Sequence, residues 1–201
     1  MATDTTLTGA ATPGRDPQHE KAQVRNTLAE AAFKKLPVRR YEISGKGKQR
    51  VITLFTVKPT AFTEDVKTRL KEALAKSFGK EITVFVVPEA VAIAKNVRRT
   101  PLKVRHVLGL VRGKKVDEAM AILKFTPNFA AEEILKVVKS AAANAENGWG
   151  AGPDELRIDE CYADRGAVMK RFRPGPMGRA RPILKPLSHI TVVLSDASAG
   201  R

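Results

Sequence analysis

Between Arg165 and Lys185 the chain carries seven cations, Arg165, Lys170, Arg171, Arg173, Arg179, Arg181 and Lys185, and no Asp or Glu. Cations this dense and without internal counterions repel one another. The chemistry they offer is phosphate binding, since a planar guanidinium makes paired hydrogen bonds to phosphate oxygens and also stacks on bases. Each phosphate neutralised releases counterions, so affinity falls with salt by about 0.7–0.9 log units per phosphate. Gly166, Gly175 and Gly178 with Pro174, Pro176 and Pro182 are scattered through the same stretch. A core sheet tolerates that composition badly, because proline lacks a ladder donor and glycine weakens a strand. The segment is therefore expected to leave the body as a hairpin. With about ten residues out and ten back at roughly 3.3 Å each, its tip would project on the order of 30 Å. A solvated basic loop without a defined partner fits the composition as well.

The remaining chemically capable residues point to no reaction. Cys161, His106 and His189 could be combined as a thiol–imidazole pair, yet each is explained locally: His106 on a helix, His189 entering a strand, Cys161 as a small apolar strand residue. Gly45-Lys46-Gly47-Lys48 is too short for a phosphate-binding P-loop and has no Ser or Thr after it. Glu132-Glu133 and Asp159-Glu160 lack metal-ligand partners at suitable spacing and read as solvated surface. Trp149 and Phe172 would either stack on bases or pack in the core. No enzyme activity, metal, cofactor or small-molecule substrate is expected.

Lys and Arg total 36 against 21 Asp and Glu, a net charge of +15, which favours a polyanionic partner. No run of about 18–20 apolar residues is available to cross a membrane. One cysteine among 201 residues excludes an internal disulfide.

The elements that must position these side chains form two units. Residues 1–20 read as a flexible tail. Asp4, and the lack of any Arg or Lys before Arg15, argue against an organellar transit peptide. Residues 21–90 read as α-β-β-α-β: a helix over Lys21–Leu36, strands over Val38–Ile43 and Arg50–Val57 around the Ser44–Lys48 turn, a helix over Ala61–Phe78 capped by Gly79, and a strand over Ile82–Val87 closed by Pro88. Arg39, Arg40, Lys46, Lys48 and Arg50 surround the hairpin of this small unit and are candidates for contacting RNA or a neighbouring protein; an appendage without a ligand fits equally.

Residues 91–201 read as three helices followed by a small antiparallel sheet, an α+β unit. Thr100-Pro101 starts the first helix, which runs to Arg112; the second spans Val116 to about Lys124; Thr126-Pro127 starts the third, which reaches about Glu146. Asn147 to Pro153 is loop chemistry. Strands follow at Leu156–Ala163, Val168–Pro174, Ile183–Lys185 and His189–Leu194.

Several segments of this second unit occur in an order and spacing that resemble a known family: Asn96-Val97-Arg98-Arg99-Thr100-Pro101-Leu102-Lys103-Val104-Arg105, Arg112-Gly113-Lys114-Lys115-Val116-Asp117-Glu118-Ala119, Ser140 to Asn147, Lys170 to Pro174 with Gly178-Arg179-Ala180, and Ser188 to Val193. Over about residues 92–196 they resemble protein twenty-two of the large ribosomal subunit, of bacterial and organellar type. The resemblance does not reach residues 1–90. It implies a structural ribosomal protein that binds large-subunit rRNA, neighbours other ribosomal proteins, lines the polypeptide exit tunnel with its hairpin beside the nascent chain, and assists subunit assembly. By position, Arg98, Arg99, Lys103, Arg105, Arg112, Lys114 and Lys115 of the helical part, and Lys170, Arg171, Arg173, Arg179, Arg181 and Lys185 of the hairpin, would meet rRNA. Gly175, Pro176, Met177, Gly178, Arg179 and Ala180 would form the tip. Gly175-Pro176-Met177 stands where the family has a more basic sequence, and Pro186-Leu187 replaces a basic and polar pair, which implies a stiffer, less charged tip. A cytoplasmic ribosome is expected. The alternative is a free RNA-binding regulator or ribosome assembly factor.

Overall fold

The computed structural model describes residues 17–30, 33–44, 49–78 and 81–196. The elements in order are α1 (Pro17–Ala29), β1 (Val38–Ser44), β2 (Gln49–Thr56), a short 3₁₀ turn at Pro59–Ala61, α2 (Glu64–Phe78), β3 (Glu81–Val97), α3 (Pro101–Val111), α4 (Val116–Phe125), α5 (Phe129–Trp149), β4 (Leu156–Pro174) and β5 (Ala180–Asp196). The fold is mixed α+β, with one five-stranded sheet in the order β1-β2-β3-β5-β4.

Two apolar clusters underlie it. Val24, Phe33, Ile52, Leu54, Phe62, Leu70, Leu74 and Ile82 pack α1 and α2 onto β2 and β3. The second cluster joins α3, α4 and α5 to β3, β4 and β5 through Val104, Leu108, Leu123, Ile134, Val138, Leu156, Ile158, Ile190 and Leu194, among others. Burying each such side chain contributes about 1.5–3 kcal/mol. On β3, Ile82, Val84 and Val86 face the first cluster and Ala90, Ala92 and Ala94 the second. All are even-numbered, and strand side chains alternate, so both sets of helices lie on one face of the sheet.

Pro88 does not end its strand. β3 pairs in parallel with β2 from Glu81 to Pro88 and antiparallel with β5 from Glu89 to Val97. Proline therefore sits where the ladder passes from one partner to the other, a position that tolerates a missing donor. The division expected between residues 90 and 91 falls inside this one strand.

Other limits shift for local reasons. α1 begins at Pro17, inside the expected tail, and ends at Ala29, ahead of turn hydrogen bonds from Phe33 and Lys34 to the Glu30 carbonyl. α2 starts at Glu64, because Pro59–Ala61 forms its own short turn that seats Phe62 in the core. α5 is capped by Asn128, whose side chain accepts from the Ala130 N–H, rather than by Thr126, whose hydroxyl donates back to the Ile122 carbonyl in α4. It runs on to Trp149 and ends at Gly150 in the left-handed region. The four expected C-terminal strands are two long ones. The expected 1–16 part of the tail, the Gly45–Lys48 turn and the Gly79 cap lie outside the described residues.

Candidate nucleic-acid interface

β4 and β5 pair from Leu156↔Asp196 out to Pro174↔Ala180, with register shifts at Ile158/Glu160 and Arg165/Val168. The outer part, 168–174 against 180–186, carries the ribbon roughly 23 Å beyond the second shift at about 3.3 Å per residue. The tip closes with the Gly175 N–H donating to the Arg179 carbonyl at 2.6 Å, and Met177 there adopts a φ of 57° and is 93% exposed.

The register sorts the ribbon into two unlike faces, because directly opposed residues of an antiparallel pair share a face. Met169↔Lys185, Arg171↔Ile183 and Arg173↔Arg181 lie on one; Lys170↔Leu184 and Phe172↔Pro182 on the other. One face thus gathers Arg171, Arg173, Arg181 and Lys185. The other presents Phe172, 79% exposed, and Leu184, 57% exposed, beside Lys170 alone. Arg173 and Arg181 oppose each other directly, which destabilises the ribbon until an anion lies between them. At its root Arg98, Arg171 and Lys185 line a cleft of about 380 Å³ with Met169, Pro186 and Leu187 and no acid.

The root is fixed by two bulges that meet on β5. β3 shifts register between Ala94 and Val97, where Asn96 has a φ of 57°, and β4 shifts between Arg165 and Val168. The Asn96 N–H donates to His189 Nδ1 at 3.1 Å, and Gly166 lies so close that a Cβ there would meet His189 Nε2 at 3.2 Å. His189 is thus a structural wedge at the hairpin root, three residues along β5 from Val192, which opposes Cys161.

The helical candidates divide. Arg98, Arg99 and Lys103 are exposed near the ribbon root, with the Arg99 guanidinium 5.0 Å from the Phe129 ring centroid. Arg105 is exposed but anchored: Nε and Nη2 donate to the Ala163 carbonyl at 3.0 and 2.8 Å. Arg112 Nη2 likewise donates to the Cys161 carbonyl at 2.7 Å. Both staple α3 to the outer edge of β4, an edge that would otherwise display unpaired carbonyls. Lys114 and Lys115 sit at the other end of that strand, beside Arg157, on the order of 50 Å along β4 from Arg173. They form a separate basic spot.

The cations of the N-terminal unit are committed elsewhere. A bulge at Val38/Arg40 turns Arg39 and Arg40 to the same side. Arg39 Nη1 donates to Glu89 Oε2 at 2.7 Å and Arg40 Nε to Oε1 at 2.9 Å, the Glu89 side chain being fully buried. Arg40 also pairs with Asp159 and Glu160, and stacks 4.0 Å over Phe55. Burial opposes the charge on both guanidiniums, yet Glu89 and the neighbouring carboxylates outweigh it and raise both pKa values. These arginines tie β1 to β4 instead of facing RNA, and Asp159-Glu160 are paired instead of merely solvated. Arg50 pairs with Glu20. Lys46 and Lys48 lie outside the described residues.

Trp149 packs against the C-terminal core, and Cys161 is buried, its thiol donating to the Leu108 carbonyl at 3.6 Å. Sequence reasoning missed the Arg39–Arg40–Glu89 network and the two-faced ribbon. The only sequence signal for the first was an acid, Glu89, embedded in an apolar strand; the second needed the register.

A basic ribbon rooted in a small α+β body suits a structural protein that meets a polyanion. Residues 92–195 match the family of ribosomal protein L22p/L17e. The chain is 56% identical over 108 residues to the large ribosomal subunit protein uL22 of Clostridium novyi (strain NT), covering 54% of this chain and 97% of that protein. It is 52% identical over 112 residues to the uL22 of Pelotomaculum thermopropionicum, covering 56% and 99%. The chain belongs to the ribosomal protein L22p/L17e family, and is a structural, non-enzymatic component of the ribosome.

Proposed function

We propose that the chain is a constituent of the large subunit that binds large-subunit rRNA through the cationic face of the ribbon and assists subunit assembly. The observation that carries this reading is the register, which puts Arg171, Arg173, Arg181 and Lys185 on one face. Arg98 extends that face at the root and Arg179 at the tip, while Arg99, Lys103, Lys170, Lys114 and Lys115 add separate contacts. Arg105 and Arg112 hold α3 to β4 and offer rRNA only their remaining donors. The opposite face, with Phe172, Pro182 and Leu184, suits the wall of the polypeptide exit tunnel, where the nascent chain passes and few strong contacts are wanted. Gly175 to Ala180 form the tip.

Residues 91–201 are the rRNA-binding unit and 21–90 an accessory one, beside neighbouring ribosomal proteins in a cytoplasmic ribosome. No cofactor, small-molecule substrate or membrane enters the reading; no helix among the described residues is long and apolar enough to cross a membrane. Ultraviolet crosslinking of purified large subunits, read by mass spectrometry, should join ribbon residues 170–185 to rRNA. Recovery of the protein wholly free of ribosomes in cell extract at moderate salt would contradict the reading. Transient, sub-stoichiometric association with precursor particles would instead favour an assembly factor.

A further inference from the structure

The helices cover one face of the sheet, and on the other face residues from all five strands line a groove of about 410 Å³. Its floor is apolar: Phe55 and Val87 are buried there, and Phe85 is 53% exposed. Its charge is opposite to that of the whole molecule. The charged residues that line it are Glu42 and Asp159 against Arg40, and behind them Glu89 and Glu160 pair with Arg39 and Arg40, in a chain of net +15. Both guanidiniums are already spent on these carboxylates, so neither is left to receive a phosphate. Glu42 keeps 64% of its side chain exposed, Asp159 38% and Glu160 35%.

We propose that this groove receives an extended, Lys- or Arg-bearing segment of another ribosomal protein, apolar side chains resting on Phe85 while its cations meet Glu42 and Asp159-Glu160. An RNA backbone is disfavoured there, because like charge at a partly desolvated rim costs binding. The ion pairs from Arg40 on β1 to Asp159 and Glu160 on β4 draw these strands together across the groove, so it takes a short extended segment. Most of the groove belongs to β1, β2 and the first part of β3, outside the family-matched residues 92–195. Residues 21–90 thus add a protein-binding surface to an rRNA-binding one.

The test uses large subunits that carry the full chain with a benzophenone amino acid at Phe85. Light should crosslink it to a protein segment holding at least two Lys or Arg within about six residues, and Glu42→Lys should lower the yield about fivefold, as expected for reversing one exposed pair. Crosslinking to RNA, to a segment without cations, or with a yield indifferent to Glu42→Lys overturns the proposal. If the Phe85 variant is not incorporated, carbodiimide treatment of unmodified subunits replaces it. Glu42 or Glu160 joined to lysine of another ribosomal protein supports the proposal, and labelling of both carboxylates by a small added amine as full as in the free chain overturns it. Neither result depends on whether the ribbon crosslinks to rRNA.

Discussion

Replacing Glu89 by Gln removes the charge on which the two parts of the sheet meet and leaves its shape nearly unchanged. The side chain is fully buried and accepts from Arg39 at 2.7 Å and from Arg40 at 2.9 Å. Hydrogen bonds to charged groups contribute about 1.5–3 kcal/mol each, and breaking a buried pair by removing one partner costs about 3–5 kcal/mol. Gln keeps one acceptor but turns an NH₂ donor toward the other guanidinium. The two arginines stay about a quarter exposed and keep Glu160 and Asp159, which offsets part of the loss. The expected cost is about 2–4 kcal/mol, a fall in Tm of roughly 5–12 °C for a chain this size. Thermal and urea unfolding followed by circular dichroism measures it. A double-mutant cycle with Arg40→Gln should return a coupling of at least about 1 kcal/mol. A loss below about 1 kcal/mol with no coupling would mean that the buried Glu89 charge does not hold β1 to β3.

Two further outcomes are specific. At Gly166 a Cβ would meet His189 and the Leu187 backbone at 3.2–3.3 Å, so Gly166→Val should cost about 1–3 kcal/mol in thermal unfolding and lower incorporation into subunits; an unchanged Tm would count against the wedge at the ribbon root. Burial pushes the Cys161 thiol up, with Arg112 opposing, so alkylation by iodoacetamide at pH 8 should be slow in the native protein and fast in urea. Because the native value is the raised one, the stability this neutral thiol contributes is present below the ordinary pKa near 8.5 and is lost as pH rises through the higher native value. Cys161→Val should lack that alkaline fall, and a parallel pH dependence of the two proteins would refute the assignment.

Local chemistry made some of this fold legible. Thr100-Pro101 opened α3, and the acid-free stretch from Arg165 to Lys185 gave the ribbon. What escaped was set by distant partners. Pro88 read as a strand end because the change of pairing partner at that residue is a property of the sheet. Arg39 and Arg40 read as free cations because their acceptors lie 49 to 121 residues away. The resemblance set Arg105 and Arg112 against rRNA, and their anchoring was not legible beside it because only the assembled edge of β4 supplies the carbonyls that take them. On the ribbon, composition gave the charge but not its sides, since moving the register by one residue exchanges the faces.

The salt dependence of binding to large-subunit rRNA tests the central claim most directly. With Arg171, Arg173 and Arg181 all changed to Gln, the slope of log affinity against log salt should shrink by about 2–3, at about 0.7–0.9 for each phosphate deprived of its arginine. Changing Lys114 and Lys115 to Gln should reduce it by no more than about 2 and leave ribbon crosslinks in place. A slope unaltered by the triple change would contradict the assignment of the cationic face to rRNA.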